Sequence, residues 1–207
     1  MKKLFLAIAF VAISLPTFSQ VKVRPGLRMG INLSNITNID NTERKVGFNG
    51  AMFANIHFAR FYELQPELTY SNQGFKRNDY AYYDPYYGDV IHMEGDNFNI
   101  HYVGMSVANK FFVVPNIGLH FIVGPSVEVN ISDDSDYDEI TPIDFSLFGG
   151  IGYEFKFGLS LEARYKQGFI DIRDDYFDYI DDNDYDYYDD NFLNSSFQFS
   201  VSYKFDF

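Results

Sequence analysis

Cysteine and tryptophan are both absent from this sequence, and basic residues are scarce. Without Cys there is no disulfide framework and no thiolate metal site. Lys and Arg number 16 against 29 Asp and Glu, for a net charge of −13. That balance excludes nucleic acid as a partner, because binding phosphates needs clustered bases. Long apolar runs are missing too: after the first twenty residues no segment approaches the ~20 apolar residues of a transmembrane helix. No nucleophile-elbow or HExxH motif occurs, and "GGIG" (149–152) does not open a helix, as a phosphate loop must.

What is present begins with a leader. "MKKLFLAIAFVAISLPTFSQ" has Lys2 and Lys3, an apolar run from Leu4 to Leu15, and the small residues Thr17 and Ser19. It reads as a secretory signal peptide over residues 1–19, with the barrel domain over 20–207. Without Lys2 and Lys3 the chain keeps 14 bases against 29 acids, a net −15.

Aromatics make up 19% of the chain, which favours strands. Beyond Gln20 the hydrophobicity has period two. In the last segment Phe197, Phe199, Val201, Tyr203, Phe205 and Phe207 alternate with Gln198, Ser200, Ser202, Lys204 and Asp206. Similar alternation runs through 21–33, 46–58, 62–70, 117–131, 143–155 and 159–169. In 98–111 the apolar positions pass from Phe98, Ile100 and Tyr102 to Val103, Met105 and Val107, which predicts a β-bulge near Tyr102. Eight strands result, each long enough for the ~9–11 residues of a tilted membrane strand. Long connections (35–45, 72–97, 132–142, 170–192) alternate with short ones (59–60, 112–116, 156–158), the pattern of an outer-membrane barrel.

The polar faces carry Gly26, Gly30, Gly47, Gly118, Gly124, Gly150, Gly152 and Gly168. A narrow lumen needs such missing side chains and solvent does not, so the polar face is expected inside. The fold class is therefore all-β: an eight-stranded antiparallel up-and-down transmembrane β-barrel with long extracellular loops, in the outer membrane of a Gram-negative bacterium. Arg28, Glu63, Glu67, Glu128, Glu154, Glu162, Arg164 and Lys166 are expected to pair inside and close the lumen. Partners of such a chain are membrane lipid and the assembly machinery, for which the terminal Phe207 strand is the expected signal.

Some segments resemble a known family. "FIVGPSVEV" (121–129) and "DFSLFGGIGYEFKFGLSLEARYKQGFIDI" (144–172) are similar to the PorT-like outer-membrane barrels of the Bacteroidetes. Gly124-Pro125, Gly150-Ile-Gly-Tyr153 and Ala163-Arg-Tyr165 carry the resemblance. It implies the barrel fold; the secretion and gliding role of the founding member is not carried over.

Chemistry is sparse. His92 and His101 lie near the outer rim beside Asp89, Glu94 and Asp96, which frames one alternative: a barrel hydrolase with a His–acid pair. A soluble lipocalin-like binder of apolar ligands is the other. The leading expectation is a non-enzyme whose acidic, tyrosine-rich loops interact at the surface. Tyr82, Tyr83, Tyr86, Tyr87, Tyr185, Tyr187 and Tyr188 form the expected binding platform for a surface protein or glycan. No cofactor is expected beyond a weak Ca²⁺ site: Asp182, Asp184 and Asp186 offer hard oxygen ligands, although Tyr187 and Leu193 stand where an EF-hand has Gly and Glu.

Overall fold

The computed structural model describes residues 22–39, 41–84, 86, 88–114, 117–134, 140–172 and 191–206. Among the described residues there are ten strands: β1 (Lys22–Ile36), β2 (Thr42–Ala59), β3 (Tyr62–Arg77), β4 (Tyr80–Asp84), β5 (Asp89–Met93), β6 (Asn97–Phe112), β7 (Leu119–Asp133), β8 (Ile143–Glu154), β9 (Leu159–Gly168) and β10 (Asn194–Lys204). Eight close into one antiparallel barrel in the order β1–β10–β9–β8–β7–β6–β3–β2. The short β4 and β5 pair only with each other.

Alternation assigns the two faces. On β10, Ser196, Gln198, Ser200, Ser202 and Lys204 are buried, while Phe197, Phe199, Val201 and Tyr203 are exposed. The same inversion runs round the wall, with Met29, Ile31, Phe48, Met52, Leu68, Met105, Phe121 and Leu147 all outward. A soluble barrel would bury this set and expose the other, so the lipocalin-like reading falls. An apolar wall suits hydrocarbon, and closure leaves no unpaired edge within it. On β3 the band runs from Tyr62 to Tyr70, about the reach of a tilted membrane strand. Aromatic contacts mark its rims. Phe58–Tyr62–Phe111 and Tyr153–Phe155–Phe157 line the short-turn end. Phe48–Tyr70 and Tyr165–Phe197 line the other.

Inward glycines make room for bulky neighbours. A Cβ on Gly26 would stand 2.2 Å from the Phe53 ring, and one on Gly152 would stand 2.4 Å from His120 Nε2. Both rings lean into space that only glycine leaves free.

Three features differ from the sequence expectation. First, the strands run on past the apolar band at the long-loop end, so the first connection shrinks from 35–45 to 37–41. Second, the connection after β3 holds the β4–β5 hairpin, with Tyr83 opposite Val90 and Tyr80 opposite Met93. Third, β6 does not switch phase. Ile100 and Tyr102 point inward, like Ser106, Ala108 and Lys110, and the pairing of β6 with β3 is unbroken. What changes along β6 is the content of the inner face, from polar to apolar. A bulge does occur there, but on β7: His101 pairs with Ser132 and Tyr102 with Asn130, leaving Ile131 extra.

Candidate functional site

The lumen is filled by charge pairs centred on Glu67. Its carboxylate accepts from Arg28 at 2.7 Å, from Arg164 at 2.9 Å, from Ser106 at 3.0 Å and from Gln65 at 2.8 Å. Arg164 also donates to Glu162 at 2.7 Å, and Lys110 meets the same carboxylate at 2.6 Å. Toward the short turns, Lys204 bridges Glu63 at 3.1 Å and Glu154 at 2.7 Å. Toward the long loops, Lys166 pairs with Glu128, which also accepts from Gln73 at 2.9 Å. All eight charged residues expected in the lumen are thus paired there. Sequence reasoning had not singled out the buried bases Lys45, Lys110 and Lys204 as lumen cations: Lys45 fell in the expected connection 35–45, and the other two are single Lys residues in alternating strands. The space left between Arg28, Ser106, Glu128, Phe148 and Arg164 is about 10 Å³, room for about one water molecule. At that height the lumen is filled by its own paired side chains.

Above the charges the inner face becomes hydrocarbon. Ile36, Phe75, Ile100 and Tyr102 are buried together, and Ile39, Phe98, Ile140, Ile172 and Phe192 pack on them. Phe98 stacks on Phe75 at 5.1 Å. The Tyr102 hydroxyl accepts from Asn194 at 2.9 Å, which satisfies its polar end. The cap seals the lumen from the loops.

Outside the cap lies the β4–β5 hairpin. Tyr83 and Tyr86 are 63% and 87% exposed. Tyr82 sits in β4 opposite Ile91. Tyr87, Tyr185, Tyr187 and Tyr188, and the three aspartates Asp182, Asp184 and Asp186, lie outside the described residues, as does Phe207. Among the described residues no group of three or more His, Asp or Glu side chains is placed to hold a metal ion.

Neither rim histidine meets an acid among the described residues. His101 faces outward, with its Nδ1 2.8 Å from the Tyr70 hydroxyl and the Asn72 amide 3.2 Å from its Nε2. His92 is exposed on β5, opposite Ala81. Among the described residues no carboxylate pairs with either. His120 is buried in the lumen, 3.0 Å from the Gly118 carbonyl and against the Phe112 ring.

The long-loop end also has a cleft that sequence reasoning missed. About 590 Å³ in volume, it is lined by Asn38, Ile39, Asn41 and Thr42 of the first connection, by Phe75 to Tyr80, and by Phe192. Its walls come from three distant stretches, so no local motif marks it. Its volume falls in the usual range of ligand sites.

The Neisserial surface protein A is similar to this chain in fold, with 14% identity over 90% of this chain and 100% of that one, at a TM-score of 0.49. The outer membrane protein Ail of Yersinia pestis in a phospholipid bilayer nanodisc shows 12% identity over 89% and 100%, at 0.48. A de novo designed transmembrane β-barrel shows 12% over 88% and 95%, at 0.41. No curated protein matches. The family described as outer membrane protein beta-barrel domain matches residues 18–174, which is most of the chain. With its apolar wall, closed ladder and ionic lumen, the chain belongs to that family and is an integral β-barrel of the outer membrane of a Gram-negative bacterium.

Proposed function

We propose that this barrel is a non-enzymatic surface-interaction protein, with its long-loop end facing out of the cell. The observation that carries this reading is the tyrosine-bearing β4–β5 hairpin, raised on a wall whose own interior is sealed. Tyr side chains give large amphipathic contact area with few rotatable bonds, which suits a binding platform. The charge-filled middle of the lumen supports the same reading, since the gap among Arg28, Glu128 and Arg164 is only about 10 Å³. Within the family, the stretches at 121–129 and 144–172 favour a PorT-like member, with a leader over 1–19 and the barrel over 20–207. The partner is a surface protein or glycan. Asp182, Asp184 and Asp186 would take Ca²⁺ only weakly, at roughly 10⁻⁴–10⁻³ M, as calorimetry on purified protein would show.

A photo-reactive residue at Tyr83 or Tyr86, crosslinked on intact cells, tests the platform. Discrete adducts at both positions, absent when the label replaces the lipid-facing Leu68, support it. Crosslinks from Leu68 alone, with none from the hairpin, would sink it.

A further inference from the structure

The cleft beneath the hairpin has features of a built site. Its walls are fixed by backbone hydrogen bonds. The Asn78 N–H donates to the Asn41 carbonyl at 3.0 Å, and Arg77 N–H to the Asp96 carbonyl at 3.0 Å. Asp79 accepts from the Gly95 N–H at 2.8 Å. Asn38 donates to the Asn191 carbonyl at 3.0 Å, and Thr37 N–H to the Leu193 carbonyl at 2.9 Å. Asn38 and Asn41 hold φ values of +64° and +58°, a left-handed turn that Asn tolerates better than most residues. The cleft is therefore preformed, and a ligand would not have to order it.

Its lining has two kinds of surface. Phe75, Phe192 and Ile39 form an apolar floor continuous with the cap, and Tyr80, 57% exposed, forms one side. Against these stand polar groups whose capacity is unspent. The Arg77 guanidinium and the side-chain amides of Asn41 and Asn78 make no hydrogen bond or ion pair with any other described residue. Each amide offers two donors and an acceptor, and the guanidinium offers five donors.

Charge narrows the class of ligand. The connection from β3 to β6 holds Asp79, Asp84, Asp89, Glu94 and Asp96, with no Lys or Arg from 78 to 97. This charge repels an anionic ligand. A simple cation would be drawn to the carboxylates rather than to a cleft with an arginine in it. What fits is a neutral molecule with an apolar face and many hydroxyls. We infer that the cleft between Asn41, Asn78 and Tyr80 binds one ring of a neutral saccharide, its C–H face on Tyr80 and the floor and its hydroxyls on Arg77, Asn41 and Asn78.

This rests on the surface-interaction reading, and the experiment separates the two. The full barrel in nanodiscs, labelled for NMR, is titrated with a panel of neutral hexasaccharides of varied linkage. Hexagalacturonate and a Tyr-rich peptide serve as the other arms. The inference expects shifts of the Asn41 and Asn78 side-chain amides with a neutral sugar, and weaker or no response to the uronate. Tyr80→Ala and Asn78→Ala should each lower affinity about tenfold, the loss of a stacking face or one well-made polar contact. Tyr83→Ala should change it less than about twofold. A denaturing gel on which unboiled and boiled samples migrate apart checks that each variant is folded, and the wild-type shift map stands without any variant. Three outcomes overturn the inference: no neutral sugar shifts these amides at millimolar concentration, the uronate binds as well, or the peptide fills the cleft instead. Sugar shifts confined to Tyr83 and Tyr86 overturn the cleft and leave the hairpin platform standing.

Discussion

The inner face of this barrel is closed in two ways at two heights. Through the membrane band it is closed by ions. Glu63, Glu67, Glu128, Asp144 and Glu162 are buried, with Glu154 half-buried, and they face Arg28, Lys45, Lys110, Arg164, Lys166 and Lys204. Above the band it is closed by Ile36, Phe75, Ile100 and Tyr102. The first solution is forced by the wall. Residues pointing into a narrow lumen have water on neither side, so each charge needs a partner or a hydrogen bond. The second becomes available where the strands leave the membrane and loops can fold over the opening. Because inner acids and bases nearly balance, the chain's acidic excess falls on the loops. Neutral inside and negative outside is one charge pattern split by the wall.

The largest test strikes the ionic half. Glu67→Ala leaves Arg28 and Arg164 buried without their shared acceptor, and should cost about 3–5 kcal/mol. Denaturant unfolding in detergent measures it. Replacing Glu67, Arg28 and Arg164 together by apolar residues of similar volume sharpens the comparison: stability should recover, as ion clusters exchanged whole often do. If the single variant costs under about 1 kcal/mol, the network is not what closes the band. Next comes the cap. Ile100→Ala should cost roughly 2–4 kcal/mol by leaving a cavity among Ile36, Phe75 and Tyr102. Third is the fit of glycine to ring. Gly26→Ala drives a methyl into Phe53 and toward the Tyr203 carbonyl, a cost of about 1–3 kcal/mol. Adding Phe53→Leu should recover only part, since the carbonyl stays.

The smallest effect lies at the short-turn end. Asp206 takes a hydrogen bond from Lys22 at 3.0 Å and lies 2.7 Å from Arg24, which together hold its carboxyl below the usual range. A depressed carboxyl stabilises the fold above its unfolded pKa of about 3.9, and that contribution fades as pH falls through the lower folded value. The Phe205 amide, which donates to the Pro25 carbonyl at 2.8 Å, reports on it. Its protection, corrected for intrinsic exchange, should drop between about pH 4 and pH 2 in the native chain and stay flat in Asp206→Asn. High salt should erase the difference, since the pair is exposed.

The number of wall strands, the sidedness of the wall and the paired lumen were legible from period-two patterning, because most inward residues differ in polarity from their neighbours. The pattern misled on β6, where Ile100 and Tyr102 are apolar and still inward. There the inner face meets loops rather than ions, and period alone cannot tell a cap from a shift of register. The β4–β5 hairpin was hidden because Tyr-rich loops and short strands share their composition. The cleft was illegible: its lining is drawn from 38–42, 75–80 and 192, which meet only once the barrel has closed.

That closure has a kinetic side. β1 and β10 are joined along eleven residue pairs, from Gly26 with Lys204 to Ile36 with Asn194. Gly26 and Lys204 stand 178 positions apart in the chain. Every other seam of the wall joins strands that follow one another, save for the small hairpin. This one can form only after nearly the whole polypeptide has been delivered, and bringing such distant ends together is slow. Until then both outermost strands carry open edges, ready to pair with any other chain. A chain halted before Asn194 would therefore be a curved sheet with two adhesive margins rather than a smaller barrel. The cell must shield those margins for as long as the last strand is awaited.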